Sequence, residues 1–377
     1  MKKTIPFHIK HVDPMGQGVS KLTDNVVFIP KTLPGEDGVA HIVAQTKKTA
    51  FATTTVDQIT LKSPERIFPY CPHYEICSGC HYQHTNYENE ITFKKNGLSW
   101  LLKNVCKKNP IQIEVHESPK RNEYRNRIQL HYDSFGKQLG FISRITGGII
   151  EVPRCTLALP QIQMEIRQLY ENGDRSSIFS DERAKGHLEI IIQDDQKVHR
   201  YFNSNYSHGG FTQVNSLMNK KLQELVKDKY DFYLQKHGTP SVLDLFGGNG
   251  NLSRNLTSKS TAVIDIYRDN HFIEGEQQTF IDINLYSKNF LSKLSDMVSS
   301  ADFLLLDPPR SGFKGISDLV NKYDPSLIFY VSCNPATLAR DIQSIMPKYD
   351  LLEVHLLDFF PSTYHFETLC ILGAGYK

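Results

Sequence analysis

Short apolar segments separated by turns make up most of the first 62 residues. An apolar run at 26–30 is followed by a turn over 32–38, and the segments 39–45 and 50–59 alternate between apolar and polar positions. Alternation with a period of two is typical of strands that bury one face. The pattern therefore predicts a small, turn-rich β-barrel of the OB type over residues 1–62.

Residues 63–208 mix helical and strand patterns. A proline-containing segment at 62–70 predicts a linker, and the sequence predicts a helix at about 87–105, which we expect to pack on the domain that follows. Strands are predicted at 127–132, 139–145 and 186–193. We therefore expect a mixed α+β domain in the middle of the chain.

From residue 209 to residue 377, apolar runs alternate with polar or helix-like segments. Continuous apolar strands that alternate with helices are typical of a doubly wound, mainly parallel sheet. In such sheets ligands bind at the carboxyl ends of the strands, and several strands here end on a chemically distinctive residue. A helix is predicted at 217–235, and strands at 241–246, 261–266, 301–307, 327–333, 351–360 and 367–373.

The composition is that of a soluble globular protein. The chain has 377 residues, of which 40% are hydrophobic and 22% charged, and this length suits two or three domains. No apolar run reaches the length of a membrane span, and the first ten residues lack the apolar core of a secretory signal. We therefore expect a cytoplasmic protein that does not contact a membrane. In that compartment clustered cysteines are metal ligands or catalytic groups more often than disulfides.

The positive charge is concentrated in one stretch, although the net charge is only +2. Residues 92–127 contain nine Lys or Arg against three Glu. A basic zone of this kind is an electrostatic footprint for nucleic acid. The alternative is an ordinary solvated surface in which these cations form salt bridges.

Three of the seven cysteines fall within CPHYEICSGC, residues 71–80. Their spacing, with five and then two residues between them, lacks the paired CxxC…CxxC of a zinc ribbon. A closed site needs a fourth ligand. Zinc, an iron–sulfur cluster and unligated thiols all remain open on the spacing alone.

A glycine-rich turn follows the first strand of the C-terminal domain, in VLDLFGGNGNLSR at 242–254. Gly248 and Gly250 let a ligand approach the backbone closely at this turn. Asp265 ends the next strand, where a carboxylate can bind ribose hydroxyls. The dinucleotide and nucleoside triphosphate fingerprints are absent, and Asp244 before the glycines together with Asp265 after the second strand favours S-adenosylmethionine.

Three further candidate residues follow along the chain. An acid and a thiol lie at the ends of the next two strands, and a second acid lies at the start of the final strand. Asp307 precedes two prolines, which stiffen the turn and direct the acid into the cleft. Cys333 lies between a buried strand and a predicted helix cap, Asn334, so we expect the helix dipole to stabilise its thiolate. Glu367 precedes the final strand and is a candidate general base. Cys370, inside that strand, is predicted to be a core residue.

These segments together resemble the RNA uracil-5-methyltransferase family over nearly the whole chain. The motifs that carry the resemblance are DLFGGNGN, LLLDPPRSG, YVSCNPATLARDI, HFET and FTQVN at 211–215. The N-terminal residues are similar to the TRAM RNA-binding barrel of some members, and CPHYEICSGC with Cys155 is similar to their iron–sulfur cysteines. The family's glycine turn usually reads Cys-Gly where this chain has Gly247 and Gly248.

The resemblance implies a fold and a role for each matching residue. The C-terminal domain would be a Rossmann-like class I methyltransferase domain. Cys333 would be the nucleophile that adds to uracil, and Glu367 the base. The S-adenosylmethionine site would include Gln213, Phe246, Asn251, Asp265, Asn284 and Asp307. A 4Fe–4S cluster would be bound by Cys71, Cys77, Cys80 and Cys155.

The resemblance also implies that the enzyme forms 5-methyluridine in 23S ribosomal RNA, with transfer RNA as the alternative substrate, and that it acts as a monomer. Two other classes of function remain open. One is an RNA amino-group methyltransferase, because Asp307-Pro308-Pro309 is similar to the acid-Pro-Pro turn of those enzymes. The other is a non-catalytic RNA-binding protein.

Overall fold

The computed structural model describes most of the chain. The described residues are 3–21, 25–103, 105, 112–144, 146–171, 178, 184–193, 195–204, 213–234, 238–266 and 277–374. Cys106, Lys107, Lys108 and the first two residues of FTQVN lie outside them. No helix within the described residues is long and apolar enough to cross a membrane.

Contacts between residues divide the chain into two compact units. The N-terminal unit comprises Met1–Gly97, Pro119–Asn205 and Phe360–Tyr364, and the C-terminal unit comprises Leu98–Ser118, Tyr206–Phe359 and His365–Lys377. The first unit contains two separate sheets, each with its own hydrophobic core. The division into three domains at 62 and 208 stays a prediction.

The first sheet closes into a barrel because its first strand pairs with both the second and the fourth. Phe7, Ile9 and Ile29 fill its interior together with three alanines and further aliphatic side chains. The architecture fits the OB type. The strands are β1 Thr4–Val12, β2 Gln17–Ser20, β3 Val26–Pro30, β4 Asp37–Gln45, β5 Thr49–Thr53 and β6 Ile59–Leu61.

The strand predicted at 50–59 is too long. It ends at Thr53, and a short 3₁₀ helix at Val56–Gln58 follows before β6. The break has a local cause, since the Thr55 N–H donates to the Gln58 side chain, in a capping box. The period-two pattern does not detect this, because apolar and polar residues continue to alternate through the turn.

The second sheet of the N-terminal unit has five antiparallel strands covered by a helix. Ile162, Ile166 and Leu169 of the helix α2 (Pro160–Glu171) pack with Leu130 and Leu188 of the sheet. The sequence pattern predicted three of these five strands. It missed the strands Ile149–Ile150 and Val198–Phe202 and the helix α2. The strands are β8 Arg127–Asp133, β9 Gln138–Ile142, β10 Ile149–Ile150, β11 Lys185–Ile192 and β12 Val198–Phe202, in the order β10-β9-β8-β11-β12.

The C-terminal unit contains an eight-stranded sheet that is mainly parallel, as predicted. Its strands are β7 Ile113–His116, β13 Ser241–Leu245, β14 Ser260–Asp265, β15 Gln278–Asp282, β16 Phe303–Leu306, β17 Leu327–Ser332, β18 Tyr349–Leu357 and β19 Glu367–Ala374. The order is β15-β14-β13-β16-β17-β19-β18-β7. β19 is antiparallel to both of its neighbours. This is the class I methyltransferase arrangement. The pattern missed β7 and β15.

Helices complete the doubly wound layers of this unit. They are α3 Ser216–Leu234, α4 Phe290–Met297, α5 Ile316–Tyr323 and α6 Pro335–Ile345. The helix predicted at 87–105 is α1 Tyr87–Leu102. Leu98 and Leu102, from its last turns, belong to the core of the C-terminal unit.

The basic stretch at 92–127 is largely internal. Lys94 and Arg121 both bind the fully buried carboxylate of Glu90, at 2.7 and 3.0 Å, and the Ser362 N–H donates to the same group at 2.6 Å. Arg127 is buried in an ion pair with Glu189. The hypothesis that this stretch contacts phosphate is therefore wrong for these three cations. Lys95, Lys103 and Lys120 are exposed.

We predict that Glu90→Ala lowers the free energy of unfolding by about 3–5 kcal/mol, because it leaves two buried cations without their partner. Chemical denaturation of the full-length protein measures this loss. The matched control is Glu171→Ala, which removes an exposed partner of Arg167 and should leave the midpoint nearly unchanged. Equal effects of the two substitutions would contradict the prediction.

Candidate active site

Three strands place chemically active residues at one edge of the sheet of the C-terminal unit. Asp307 follows β16, Cys333 follows β17, and Glu367 begins β19. β17 and β19 are antiparallel, with Ser332 paired to Thr368, so Cys333 and Glu367 are neighbours across the two strands. The structure thus brings the predicted nucleophile and the predicted base together.

A network of hydrogen bonds fixes the turn that carries Cys333. Asn334 caps α6, since its side chain accepts from the Ala336 N–H at 3.2 Å and Pro335 occupies the first turn, as predicted. The Asn334 side-chain amide donates to the Arg310 carbonyl at 2.9 Å, and the Thr337 hydroxyl donates to the same oxygen at 3.2 Å. These bonds tie the turn after β16 to the turn after β17.

Cys333 is not a stabilised thiolate in this structure, contrary to the expectation from its position at a helix start. Burial, followed by the negative charges of Glu367 and Asp307, raises the pKa of its thiol to about 12. Arg310, by its charge and a hydrogen bond, opposes them only in part. Desolvation and two nearby acids therefore outweigh the helix terminus.

Glu367 has an unused acceptor. Its side chain is buried, and its Oε2 makes no hydrogen bond within the residues that the structure describes. Burial and the charge of Asp307 raise the pKa of Glu367 well above its usual value. Burial, followed by the charge of Asp265, raises the pKa of Asp307 to about 7. A carboxyl with a raised pKa and a free oxygen suits proton transfer near neutral pH.

The glycine turn after β13 leaves space for a ligand to come close to the backbone. Gly248 and Gly250 have φ of 56° and 72°, which only glycine adopts without strain. A Cβ on Gly248 would meet no atom within 4 Å, whereas one on Gly247 would lie 2.6 Å from an Asp244 oxygen. The Gly248 N–H donates to Asp265 at 3.0 Å. Gly248 therefore faces open space beside the carboxylate predicted to bind ribose.

The other predicted cofactor residues have different surroundings. Phe246 packs its ring near Tyr286 and Phe313, with centroids 5.5 and 5.2 Å away. Asn251 pairs with Asn219 of α3 through two amide hydrogen bonds of 2.9 and 3.1 Å. Asn284 is exposed, and its side chain accepts from the Tyr286 N–H at 2.9 Å. Gln213 is half-buried.

Sequence reasoning singled out Asp244 but missed Tyr286 and Arg310, which also shape the site. Tyr286 donates its hydroxyl proton to the Gly312 carbonyl at 2.9 Å and so links the turns after β15 and β16. Asp244 is buried below the glycine turn and accepts from Ser253 at 2.5 Å. Arg310 is the cation beside Cys333. An acid within an apolar strand was a signal for Asp244, but nothing local marked Arg310 or Tyr286.

A second site lies in the N-terminal unit, where four cysteines line one cavity of about 180 Å³. They are Cys71, Cys77, Cys80 and Cys155. All four are free thiols. The Gly79 N–H donates to the Cys77 sulfur at 3.4 Å, and the Gln83 amide donates to the Cys80 sulfur at 3.3 Å. The structure thus brings Cys155 to the other three, although it is 75 residues beyond Cys80 in the sequence.

The spacing of these thiols distinguishes between two kinds of ligand. A tetrahedral zinc ion with bonds of about 2.3 Å holds its sulfurs roughly 3.8 Å apart. Within the described residues, no three of the four sulfurs lie within 4.8 Å of one another. A four-iron cluster binds each thiolate to a different iron and so separates the sulfurs more widely. The cavity fits the cluster better than a single zinc ion.

Known proteins resemble this chain along its full length. The family model described as tRNA (Uracil-5-)-methyltransferase matches residues 278–374. The 23S rRNA (uracil(1939)-C(5))-methyltransferase RlmD of Vibrio parahaemolyticus is 28% identical over 96% of this chain and 94% of its own length. The enzyme of the same name from Shewanella piezotolerans is 26% identical over 100% and 97%.

These matches support the RNA uracil-5-methyltransferase family as the family of this chain.

The fold of this chain has a solved counterpart. The crystal structure of Pyrococcus abyssi tRNA (uracil-54, C5)-methyltransferase in complex with S-adenosyl-L-homocysteine has a TM-score of 0.70 with it. The two chains are 21% identical, and the match covers 98% of this chain and 100% of the other. The likeness shows that the two chains share a fold throughout.

We predict that Asp307→Asn stabilises the ligand-free methyltransferase at pH 8. The pKa of Asp307 rises from 3.8 to about 7 on folding, so its contribution to stability is present below pH 4 and is lost as the pH rises through 7. The gain from the substitution should therefore grow between pH 4 and pH 7. Because Asp307 is only half-buried, we expect about 2 kcal/mol at pH 8.

Denaturation of the two proteins at a series of pH values measures this difference. The control is Asp350→Asn, at an exposed position on β18, which should give a small effect. A gain from Asp307→Asn that does not change with pH would show that the charge of Asp307 is not its cause.

Proposed function

We propose that this protein methylates carbon 5 of a uridine in RNA, with S-adenosylmethionine as the methyl donor and with Cys333 and Glu367 as the catalytic residues. One observation carries the proposal. A thiol and a buried carboxyl with an unused oxygen lie side by side at the ligand-binding edge of a methyltransferase sheet. The family relationship supports the class of reaction.

The reaction needs a nucleophile to activate carbon 5 of uracil and a base to remove the proton of carbon 5, and the two residues supply these functions. Carbon 5 of uracil is a poor nucleophile, and addition of the Cys333 sulfur to carbon 6 converts the ring to an enolate whose carbon 5 is nucleophilic. After carbon 5 has gained the methyl group, it still carries its hydrogen. Glu367 removes this proton, the enolate re-forms, and the bond between sulfur and carbon 6 breaks. Cys333 is thereby released and 5-methyluridine is formed.

The residues of the glycine turn and the neighbouring strand ends fit the cofactor. Asp265 would bind the ribose hydroxyls and Phe246 would pack against the adenosine portion, for which Gly248 leaves open space. Gln213, Asn251, Asn284 and Asp307 complete the site. The cofactor supplies an electrophilic methyl group on a sulfonium.

The charges around Cys333 control the pKa of its thiol. Asp307 and Glu367 raise the pKa of Cys333, so a positive ligand beside these acids lowers that pKa again. The sulfonium carries such a charge, and the Arg310 guanidinium acts in the same direction. In this proposal, Cys333 loses its proton only once the cofactor is bound, which protects the free enzyme from thiol side reactions.

We propose ribosomal RNA, specifically 23S, as the substrate. The relatives that align over nearly the full length of both chains are named as 23S rRNA enzymes. The N-terminal unit offers exposed aromatic rings to unpaired bases, since Phe68 and Phe135 are 93% and 85% exposed. The transfer RNA alternative rests on the family model and on the solved structure, whose names specify tRNA.

Substitution of the two catalytic residues tests the reaction. Cys333→Ala should abolish methyl transfer from labelled cofactor to RNA, because no adduct can form. Glu367→Gln should slow turnover about 10²- to 10⁴-fold, and a covalent complex of protein and methylated RNA should accumulate, since the proton at carbon 5 stays in place. Gel electrophoresis under denaturing conditions detects that complex.

Cys370→Ala is the matched control. It removes a buried core thiol from the same strand as Glu367 and should retain activity. Full methyl transfer by Cys333→Ala would instead favour an amino-group methyltransferase. Failure of the native protein to bind S-adenosylmethionine would favour a non-catalytic RNA-binding protein. Mapping of the label in 23S RNA and tRNA, presented together, decides between the two substrates.

We propose that the four-cysteine cavity of the N-terminal unit binds a 4Fe–4S cluster. The four thiols and the N–H donors to two of the sulfurs support the cluster. Arg125 lines the cavity and offsets part of the negative charge of the thiolates. The cluster would hold together a loop-rich region in which the chain from 71 to 80 has no helix or strand.

Protein purified without oxygen should be brown and contain four irons per chain. Cys155→Ser should lose the colour and most of the iron, because a closed site then lacks one thiolate. Cys370→Ser, outside the cavity, should keep both. A colourless wild-type protein with one zinc per chain would contradict the assignment.

A further inference from the structure

The outer edge of the eight-stranded sheet carries metal-binding side chains that the proposed reaction does not use. Glu114 and His116 are two residues apart on the edge strand β7, and therefore lie on the same face. His355 lies on the adjacent strand β18. The parallel register pairs Glu114 with His355, so all three side chains lie on one face of the sheet.

The ligand atoms of this group have the spacing of a metal site. His116 Nε2 lies 3.2 Å from His355 Nδ1 and 3.6 Å from a Glu114 carboxylate oxygen. His355 Nδ1 lies 3.4 Å from the other oxygen of Glu114. Zinc bonds to nitrogen and oxygen of about 2.0–2.1 Å in a tetrahedron place the ligand atoms roughly 3.3–3.4 Å apart. The two imidazole nitrogens and the Glu114 carboxylate are thus separated by distances close to those of such a tetrahedron.

A second carboxylate orients His355. Its Nε2 lies 2.9 Å from Glu353, and Glu353 itself binds Lys229 at 2.5 Å and the Tyr233 hydroxyl at 2.9 Å. An ionised carboxylate only accepts hydrogen bonds, so Nε2 carries the ring proton and Nδ1 presents its lone pair to Glu114 and His116. Metal-bound histidines in proteins are held by a carboxylate in this way.

The burial of the group also suits an ion-binding site. The side chains of His355 and His116 are 1% and 10% exposed, whereas that of Glu114 is 57% exposed. The imidazoles are thus fixed by their surroundings, and the site opens to solvent on the side of Glu114. An ion can enter there, and solvent can supply a fourth ligand.

We propose that Glu114, His116 and His355 form a binding site for a divalent transition-metal ion such as Zn²⁺, with Glu353 as the residue that positions His355. Two imidazoles and one carboxylate suit ions of this class, whereas Mg²⁺ and Ca²⁺ favour oxygen ligands. The bound ion would connect the edge strand β7 to β18. The pairing of four residues with β18 holds β7 to the sheet of the C-terminal unit. The ion would add a second connection.

The competing arrangement contains no ion. In it, His116 Nε2 carries a proton and donates it to His355 Nδ1 across the same 3.2 Å. Metal binding requires the other tautomer of His116, with its proton on Nδ1. The two arrangements therefore differ in whether the group takes up a metal ion from solution.

Titration of the full-length, chelator-treated protein with Co²⁺ distinguishes them. Any cobalt taken up by the four-cysteine cavity would be bound to thiolates and would absorb strongly in the near ultraviolet, whereas cobalt bound only to nitrogen and oxygen gives weak visible bands. We expect one equivalent of the second type, displaced by Zn²⁺. Its absence from the wild-type protein would overturn the proposal.

Variants assign the signal to these residues. His116→Asn and Glu114→Gln should each remove the band, and Glu353→Gln should weaken cobalt binding about 10- to 100-fold. Glu114 is exposed enough for its variant to fold, which circular dichroism verifies. His131→Asn, which alters a histidine pair with ring centroids 6.3 Å apart in the N-terminal unit, should keep the band. A band that survives both His116→Asn and Glu114→Gln would refute the assignment.

Discussion

The reversed direction of β19 is the constraint on which the active site depends. A parallel strand next to β17 would place its carboxyl end beside Cys333, whereas the antiparallel strand β19 places its first residue there. Glu367 therefore comes beside Cys333 although it lies 34 positions further along the sequence. The hydrogen bonds of the sheet hold this pairing, so the spacing of thiol and acid does not depend on a mobile loop. The chemistry that we propose uses this fixed relation between a nucleophile and a base.

Buried acids have opposite surroundings in the two units: one acid has cationic partners, and the others lie close to one another. In the N-terminal unit, the buried Glu90 is bound by Lys94, Arg121 and a backbone N–H, so that each charge has a partner. At the active site, Glu367 keeps an unused oxygen and lies near Asp307, with Arg310 as the opposing charge. The first arrangement contributes to stability, and the second reduces it in the absence of ligands. An unbalanced set of acids is a suitable receptor for a cation, which is the charge on the sulfonium of the proposed cofactor.

Local patterns predicted the elements that are buried and regular, and failed where contacts distant in sequence decide. The strands β13, β14, β16, β17 and β19 are continuous apolar runs, and their positions followed from the sequence. β15 and β7 were missed because each is short and only partly buried, and pairing with a neighbour makes it a strand. The basic stretch was misjudged for a similar reason. Nothing near Arg127 in the sequence indicates that Glu189 will lie beside it.

The sequence by itself determined the class of fold, the resemblance to one family, and the identity of the catalytic candidates, because neighbouring residues define strand ends and helix caps. It could not determine the state of those residues. The raised pKa of Cys333, the free oxygen of Glu367 and the meeting of Cys155 with three distant cysteines all arise from groups brought together by packing. The same holds for His116 and His355, whose strands pair across more than 200 residues of chain. Desolvation and Coulomb interactions depend on distance in space, and only the tertiary structure sets that distance.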